Sequence, residues 1–202
     1  MNNSSGLRLR KVAEADFPTQ FGVFRIYGFE GSHDGLTEEA VVLEMGNLSD
    51  GPPPLVRIHS QCLTGDVFHS LRCDCRAQLE MALESVAGEG RGMVIYELQE
   101  GRGIGLLNKL RAYELQDRGA DTVEANEQLG FDSDLRSYLL PGAILRYFGV
   151  KAVRLLSNNP EKVASVEAAG VEVERVPCLV DVVESREAYL KTKKEKMGHL
   201  LE

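Results

Sequence analysis

The pattern of apolar and polar positions changes character along the chain. Between Ala15 and about Glu44, apolar residues occur in two short runs, FGVFRIYGFE and AVVLEM, separated by the turn-rich GSHDGLTEE. Short apolar runs bounded by Gly, Asp and Ser are typical of strands joined in a hairpin or meander. The polar residues 1–10 before them are expected to form a loose tail. The first part of the chain is therefore predicted to be β-rich.

From LVRIHS onwards, strand-like and helix-like patterns alternate. GNLSDGPPP is predicted to be a loop because its prolines lack the N–H groups a central strand needs, and LVRIHS resumes as a strand. RAQLEMALESVAGEG has its apolar residues at helical spacing, and we expect this helix to end at Gly88. GMVIYEL is a further strand, followed by the Gly-rich QEGRGIG and a helix, LLNKLRAYELQDRG, closed by Gly119.

The same alternation continues to the end of the chain. PGAILRYFG is predicted to be a helix, AVRLLSNNP a strand, PEKVASVEAAG a helix between Pro160 and Gly170, and VEVERVPCLV a strand. KTKKEKMGHLL is expected to be a helix or a helical tail. A chain of 202 residues suits one domain with a sizeable core. We therefore predict a single α+β domain over residues 1–202 with a mixed sheet, β-rich first and alternating afterwards.

Composition excludes several classes of protein. Hydrophobic content of 43% and charged content of 27% are ordinary for a soluble globular protein. A net charge of −8 argues against a nucleic-acid partner, whose binding surface should be basic. Apolar runs stay well below the roughly 20 residues that span a bilayer. Because the start of the chain lacks the apolar segment of a secretory signal, the expected compartment is the cytoplasm, with no membrane partner.

Candidate metal ligands are densest in RIHSQCLTGDVFHSLRCDC, from Arg57 to Cys75. Cys62, Cys73 and Cys75 would supply three thiolates, most of the four-fold coordination that zinc favours. If Cys73 and Cys75 lie on an extended segment, their side chains point to the same face. Three protein ligands leave a fourth position for water, which is the arrangement of a catalytic zinc. The hypothesis is a catalytic zinc site.

Other interpretations of these cysteines remain open. Free cysteines are often small buried core residues, and Cys178, after Pro177 in an apolar run, is expected to be one. A disulfide from Cys62 is disfavoured by the low cysteine density and the absence of a secretory signal. His59 or His69 could instead close the metal site as a fourth ligand, which would make it structural.

Two further motifs carry candidate chemistry. QEGRGIGL lies between a strand and a helix, where unpaired backbone N–H groups favour anions. Arg102 offers a planar fork for phosphate and Glu100 a carboxylate for ring N–H groups, although a solvated ion pair in a Gly-rich turn explains both equally well. Asp134 and Arg136, two apart, form either a functional pair or an exposed ion pair.

Lys162 stands in the first turn of a predicted helix, where the dipole does not favour a cation. It is therefore either held for an anion or an ordinary surface lysine. Basic residues gather around all these motifs, which fits a polyphosphate substrate. They are Arg57, Arg72, Arg76, Arg102, Lys109, Arg111, Arg136 and Lys162.

Together these motifs resemble GTP cyclohydrolase II. The matching stretches are RIHSQCLTGDVFHSLRCDC, QEGRGIGLLNKLRAYELQDRGADTVEAN, QLGF, RLLSNNPEKV and the tail YLKTKKEKMGHLL, so the resemblance covers nearly everything from about residue 8. The family also occurs fused behind a dihydroxybutanone phosphate synthase domain, and this chain is similar to the stand-alone form. Gln61 stands where many members have Glu, Leu98 where Arg commonly precedes QEGR, and Ser157 where Thr is usual.

The resemblance implies an activity, its cofactors and an oligomeric state. GTP would be hydrolysed at its imidazole ring with release of formate from C8 and of pyrophosphate. The product would be 2,5-diamino-6-(5-phosphoribosylamino)pyrimidin-4(3H)-one. This reaction is the first step of riboflavin biosynthesis. One Zn²⁺ per subunit would be bound by Cys62, Cys73 and Cys75, Mg²⁺ would accompany the substrate phosphates, and the protein would be a homodimer.

The resemblance also assigns roles to individual residues. Asp134 matches the proton acceptor, Arg136 the proposed nucleophile on the α-phosphorus, and Tyr113 a tyrosine tied to completing formyl hydrolysis. The GTP site would be lined by Arg57, Ile58, His59, Ser60, Gln61, Gln78, Glu100, Gly101, Arg102, Thr122, Ser157 and Lys162. Two alternatives are a cyclohydrolase that stops at the formylated pyrimidine, which Tyr113 argues against, and a non-catalytic zinc-stabilised nucleotide-binding module.

Residue chemistry constrains these roles independently. Attack on C8 needs hydroxide at neutral pH, which zinc can supply. Three thiolates acidify a zinc-bound water less than three histidines do, so a nearby base or hydrogen-bond donors are expected to assist. An arginine nucleophile would need Asp134 to take its proton, because guanidinium stays protonated in proteins. Transition-state stabilisation is the ordinary alternative for Arg136.

Overall fold

Seven strands pair into one mixed sheet in the part of the chain described by the computed structural model, residues 6–132, 134–180 and 198. The strands are β1 (Arg8–Thr19), β2 (Gly22–His33), β3 (Leu36–Met45), β4 (Leu55–Ser60), β5 (Gly92–Glu97), β6 (Ala152–Leu156) and β7 (Glu172–Val176). Their order across the sheet is β1-β2-β3-β5-β4-β6-β7. β1, β2, β3 and β5 are antiparallel neighbours, whereas β5, β4, β6 and β7 run parallel.

The helices connect the parallel strands. They are α1 (Leu63–Asp66), α2 (Cys75–Glu89), α3 (Leu106–Asp117), α4 (Thr122–Gln128), α5 (Leu139–Tyr147) and α6 (Pro160–Ala168), with a 3₁₀ turn over Glu100–Gly103. No helix among the described residues is long and apolar enough to cross a membrane. The predicted fold class, α+β with a mixed sheet that is β-rich first and alternating afterwards, is confirmed.

The core lies on both faces of β4 and β5. Successive strand residues point to opposite faces, so Leu55 and Val94 pack with α2, while Ile58 and Ile95 pack in the cluster that contains Ile144 of α5. Strands covered on both faces read as continuous apolar runs, which is the pattern of LVRIHS and GMVIYE. The polar side chains at the ends of these strands are therefore held on a rigid support.

The first strand is longer than the sequence suggests. β1 begins at Arg8 and pairs with β2 from there on, so the expected loose tail is wrong for residues 8–10. β1 is an edge strand with mostly exposed side chains, and ion pairs such as Arg10–Glu30 (2.8 Å) and Arg25–Asp16 (2.7 Å) cover it. Charged side chains on an edge strand discourage pairing with other chains. This strand lacks the apolar alternation by which buried strands are recognised.

The helices differ from expectation mainly at α2 and α4, and the short α1 was not predicted either. α2 continues to Glu89 and ends at Gly90, whose left-handed φ of 65° suits glycine, so the predicted end at Gly88 is two residues early. α4 was not predicted, although a capping box begins it. The side chain of Asp121 accepts from the N–H of Val123 (2.8 Å) and Glu124 (3.1 Å), and Glu124 accepts from the N–H of Asp121. The predicted C-terminal helix lies outside the described residues, apart from residue 198.

Candidate active site

A cleft opens at the carboxyl ends of β4, β5 and β6, the edge of a parallel sheet where ligands usually bind. Most predicted site residues come together there. They are Arg57, His59, Ser60, Gln61, Cys62, Cys73, Cys75, Gln78, Glu100, Gly101, Arg102, Tyr113, Arg136, Ser157 and Lys162. The cleft therefore contains both the cysteines and the basic residues that the sequence singled out.

Three predicted site residues are placed differently. Ile58 is 1% exposed and its side chain faces the core, because strand alternation turns it away from its neighbours; its carbonyl accepts from Lys162 Nζ at 2.9 Å. Asp134 lies behind Arg136, and its Oδ1 accepts from Arg136 Nε at 2.9 Å. Thr122 begins α4, and its side chain is outside the described part of the chain.

The three cysteines form a compact cluster. Their sulfur atoms all lie within 4.8 Å of one another, with 3.7 Å between the Sγ atoms of Cys62 and Cys73. None of the four cysteines, all in the described part, forms a disulfide, and Cys178 lies in the core as expected. A Cβ on Gly65 would lie 2.8 Å from Cys73 Sγ, so only glycine leaves room for the cluster.

The Cys-x-Cys segment is not extended. Asp74 has φ −101° and ψ 5° and stands at the N-cap of α2, and Cys75 is the first residue of that helix. The turn into the helix, rather than strand alternation, brings Cys73 and Cys75 together. The expectation of an extended segment is therefore wrong, although its consequence, two sulfur atoms on one side, is found.

Neither histidine belongs to the sulfur cluster. His59 Nε2 lies 3.2 Å from Asp66 Oδ1, and His69 Nε2 lies 2.7 Å from a guanidinium nitrogen of Arg76. Among the described residues, the candidate metal ligands within reach of one another are the three cysteines alone. This arrangement does not support closure of the site by a histidine, and it leaves a fourth coordination position available.

The ionisation of each thiol in the sulfur cluster depends on the other two. Hydrogen bonds from Cys73 and Cys75 lower the pKa of Cys62, and the ammonium of Lys109, 3.1 Å from Cys62 Sγ, lowers it further. The hydrogen bond to Cys62 in turn raises the pKa of Cys73, and the contact with Cys62 raises that of Cys75. All three can be thiolates at neutral pH only when a cation lies between them, as metal ligation requires.

Asp66 holds this part of the cleft in place. Its Oδ2 accepts from the backbone N–H of Cys62 at 3.0 Å and from the hydroxyl of Tyr96 at 2.7 Å. Burial lowers the pKa of His59, which Asp66 only partly opposes, so the imidazole is neutral. Its Nε2–H then donates to Asp66 and leaves Nδ1, buried without a partner, as an acceptor. Asp66 was not predicted as a site residue, although LTGD lies inside the cysteine motif.

Tyr113 and Lys109 join the sulfur cluster to the Gly-rich turn. The hydroxyls of Tyr113 and Thr64 are 3.1 Å apart, and that of Thr64 is 3.6 Å from Cys62 Sγ. Lys109 Nζ also donates to Glu100 Oε1 at 2.8 Å. The phenol and the ammonium therefore lie beside the cysteines, within one cleft.

Several basic side chains lie together in another part of the cleft. Arg57 is anchored by its donation to Leu156 O (2.8 Å) and to Gln78 Oε1 (2.7 Å). Lys162 Nζ and a guanidinium nitrogen of Arg136 both donate to Ser60 Oγ, at 3.1 and 3.3 Å. A group of buried cations that still has N–H groups free to donate forms a site for an anion.

The Gly-rich turn adds a further cation. Gly101 and Arg102 both have left-handed backbone conformations, with φ of 62° and 59°. A non-glycine residue in this region costs about 1–3 kcal/mol and is often found at ligand sites. One terminal guanidinium nitrogen of Arg102 is buried without a hydrogen-bond partner. A Cβ on Gly103 would lie 3.0 Å from Leu135 Cβ, so glycine lets this turn pack closely against the loop that carries Arg136.

Several residues of the cleft were not predicted as site residues. They are Gln99, Ile104, Ala112, Gln116, Asn126, Asn158 and Asn159, besides Arg72 and Lys109. Gln99 has a clear positioning task, because its amide donates to Ser137 O (2.7 Å) and accepts from Ser137 N (3.1 Å). Asn159 caps α6. Gln99 lies in QEGRG just after β5, and Asn158 and Asn159 lie in SNNP just after β6. These positions at strand ends were the sequence signals that could have identified them.

The sequence of this chain is similar to those of curated proteins and to a model of one protein family. Curated relatives named GTP cyclohydrolase-2 include one from Shewanella baltica (strain OS155), 53% identical over 96% of this chain and 95% of the relative. Another, from Actinobacillus succinogenes, is 52% identical over 96% of this chain and 89% of the relative. A solved structure, RibBX from A. baumannii, aligns over 86% of this chain and 40% of its own at 19% identity, with a TM-score of 0.47. A model of the family described as GTP cyclohydrolase II matches residues 10–177. The chain belongs to the GTP cyclohydrolase II family of enzymes.

Proposed function

We propose that this protein hydrolyses GTP, opening the imidazole ring with release of formate from C8 and of pyrophosphate. The product would be 2,5-diamino-6-(5-phosphoribosylamino)pyrimidin-4(3H)-one, an early intermediate of riboflavin biosynthesis. One observation carries the proposal: a three-sulfur cluster and a group of buried cations share a single cleft. A ligand with a purine at one end and phosphates at the other matches both sides.

The sulfur cluster fits zinc. Three soft donors within 4.8 Å of one another, a glycine that leaves them room, and thiols that ionise together only around a cation all support this assignment. Cys62, Cys73 and Cys75 would hold the ion. Zinc would supply hydroxide at neutral pH by lowering the pKa of water. Magnesium would accompany the phosphates of the substrate.

The basic side would bind the triphosphate. Arg57, Arg102 and Lys162 offer guanidinium and ammonium groups that pair with phosphate oxygens. Glu100 would accept from guanine N–H groups. It already accepts from Lys109 Nζ and from the backbone N–H of Leu63 (2.7 Å), and a carboxylate has room for further bonds.

Arg136 would stabilise charge on the departing pyrophosphate. Burial alone would lower its pKa, but the bidentate pairing with Asp134 outweighs burial and raises it. Burial would raise the pKa of Asp134, and Arg136 outweighs that effect and lowers it. Both shifts oppose proton transfer from Arg136 to Asp134. The pairing therefore favours electrostatic stabilisation over the nucleophilic role that the resemblance assigns to Arg136.

Product analysis tests the proposal. Incubation with GTP and Mg²⁺ should release formate and pyrophosphate, with the ring-opened pyrimidine identified by mass spectrometry. Cys75→Ser should abolish both releases together with bound zinc, whereas Cys178→Ser, outside the cleft, should keep both activities. Release of pyrophosphate without formate would contradict the proposal, and accumulation of a formylated pyrimidine would indicate an enzyme that stops early.

A homodimer is also proposed. Val67, Phe68 and Leu71, between α1 and α2, are 56%, 71% and 63% exposed. Neighbouring exposed apolar side chains of this size support burial against a partner. Light scattering should give twice the mass of the chain, and Phe68→Asp should shift the protein toward monomer. A wild-type monomer at micromolar concentration would contradict this.

A further inference from the structure

Glu97, the last residue of β5, is a buried carboxylate that none of the sequence motifs includes. Its exposed fraction is 0%, and it lies beneath the cleft rather than in its lining. Oε2 is 3.9 Å from Lys162 Nζ and accepts from Ser60 Oγ at 3.3 Å, while Oε1 is 3.4 Å from Gln99 Nε2. A carboxylate in such a place loses most of its hydration, which is costly unless another group compensates for its charge.

Charged groups surround the pair of Glu97 and Lys162 from several elements. Those acting on Lys162 are Glu97 of β5, Arg57 of β4, and Arg136 and Asp134 from the loop before α5. Those acting on Glu97 are Lys162 of α6, Arg136 and Glu38 of β3. Asp134 is bound bidentately by Arg136. Glu97 is thus the buried carboxylate that balances Lys162.

Burial disfavours the protonated form of Lys162. Burial lowers the pKa of Lys162 to about 7; Glu97 opposes this shift, while Arg136 and Arg57 add to it. Burial likewise raises the pKa of Glu97 to about 7. Removal of the adjacent Glu97 carboxylate would lower the pKa of this ammonium further, because two guanidinium groups lie beside it and Asp134 is already bound by Arg136. A neutral amine would be a poor partner for phosphate.

We propose that Glu97 is a positioning residue whose carboxylate keeps Lys162 protonated beside Ser60 until a phosphate group of the substrate takes over as its counter-ion. The proposal rests on the proposed function only for the identity of that anion. Glu97 need not touch the substrate. Its effect reaches the ligand through the charge of Lys162.

Competitive acylation of Lys162 tests this directly. Acetic anhydride modifies only neutral amines, so labelling across a pH series, quantified by peptide mass spectrometry, gives the protonation midpoint of Lys162. Glu97→Gln keeps a hydrogen-bonding group of similar shape and removes the charge. The midpoint should fall by about one pH unit, which is about tenfold more labelling at a fixed pH well below both midpoints. Exposed Lys151 serves as the internal reference in the same digests.

Two further variants complete the labelling experiment. Glu38→Gln removes a carboxylate that acts on Glu97 without adjoining Lys162, and the midpoint of Lys162 should not fall. Glu97→Asp keeps the negative charge but moves it away from Lys162 by the length of one methylene, so the midpoint of Lys162 should fall by less. This variant also replaces Glu97→Gln if that variant folds poorly. An unchanged Lys162 midpoint in a folded Glu97→Gln or Glu97→Asp variant would overturn the proposal.

Binding of inorganic tripolyphosphate gives a second readout. Glu97→Gln should weaken its affinity by about tenfold near pH 8, above both midpoints, with recovery toward wild type at lower pH where Lys162 is protonated again. Equal loss at every pH would indicate a merely structural role and contradict the proposal. Neither measurement uses GTP turnover. If the GTP assay fails but the midpoint of Lys162 shifts as expected, only the proposed function is contradicted.

Discussion

The two halves of the sheet use charge in opposite ways. In the meander of β1, β2 and β3, ion pairs lie on the surface, as in Arg25–Asp16, whose side chains are 38% and 82% exposed. At the carboxyl ends of β4 and β5, Lys162 and Glu97 are 6% and 0% exposed. Exposed pairs contribute about 0–1 kcal/mol and cost little to form. Buried charges are costly to desolvate, so their concentration at one edge indicates a ligand. The burial of charge locates the function better than its amount does.

The largest effect should come from the cleft side of this comparison. Arg136→Lys keeps one positive charge and loses the bidentate fork to Asp134, and we expect kcat to fall by about 10²–10³-fold. Steady-state formation of pyrophosphate from GTP measures it. The matched change Arg25→Lys in the meander should leave kcat unchanged. Similar losses in both variants would remove the distinction between the two regions.

The next effect concerns Asp66, which supports the sulfur cluster without joining it. Asp66→Asn weakens the acceptor for the Cys62 N–H and for Tyr96, and zinc affinity should fall by about 10–100-fold. Competition with a chromophoric chelator measures it, alongside Asp16→Asn as the control from the meander. Unaltered zinc affinity in Asp66→Asn would mean that the sulfur atoms are positioned by the chain fold alone.

A smaller effect should appear as pH dependence of stability. Because burial lowers the pKa of His59 below about 6.5, the unfolded chain takes up a proton there that the folded chain refuses. This contribution is present above about pH 6.5 and is lost as the pH falls further. Thermal unfolding at stepped pH should show a shallower acid decline for His59→Gln than for wild type. An equal loss of thermal stability with falling pH in both proteins would show that His59 does not contribute to this pH dependence.

The smallest effect should come from the meander itself. Arg25→Ala removes two exposed contacts, with Glu14 and Asp16, and the free energy of unfolding should change by less than about 1 kcal/mol. Urea denaturation measures it. A loss of several kcal/mol would mean that the edge strand depends on its ion pairs, and the contrast between solvated and buried charge would weaken.

The fold was predictable wherever burial imposed a pattern. LVRIHS and GMVIYE are apolar because both faces of these strands are covered, and their neighbouring helices show helical spacing. The full length of β1 was not predicted, because an exposed edge strand needs no such pattern. α4 carries a capping box from Asp121 to Glu124, which a search for helix starts could have found even without apolar periodicity.

The site was predictable in its members and less so in its connections. The cysteine and QEGRG motifs supplied the lining of the cleft, and a resemblance supplied the roles. The contact between Glu97 and Lys162 depends on the position of β5 beside β4 and on the approach of α6. Such contacts join residues far apart in sequence, and spacing along one chain does not reveal them.

The hydroxyl of Ser60 has a consequence for ligand entry. A serine oxygen accepts two hydrogen bonds and gives one proton. Lys162 and Arg136 occupy both lone pairs, so the proton points to Glu97. With these three hydrogen bonds made, Ser60 has no donor left for an incoming phosphate. An arriving phosphate oxygen would therefore accept from the remaining N–H groups of Lys162 and Arg136, with Ser60 keeping the two cations side by side.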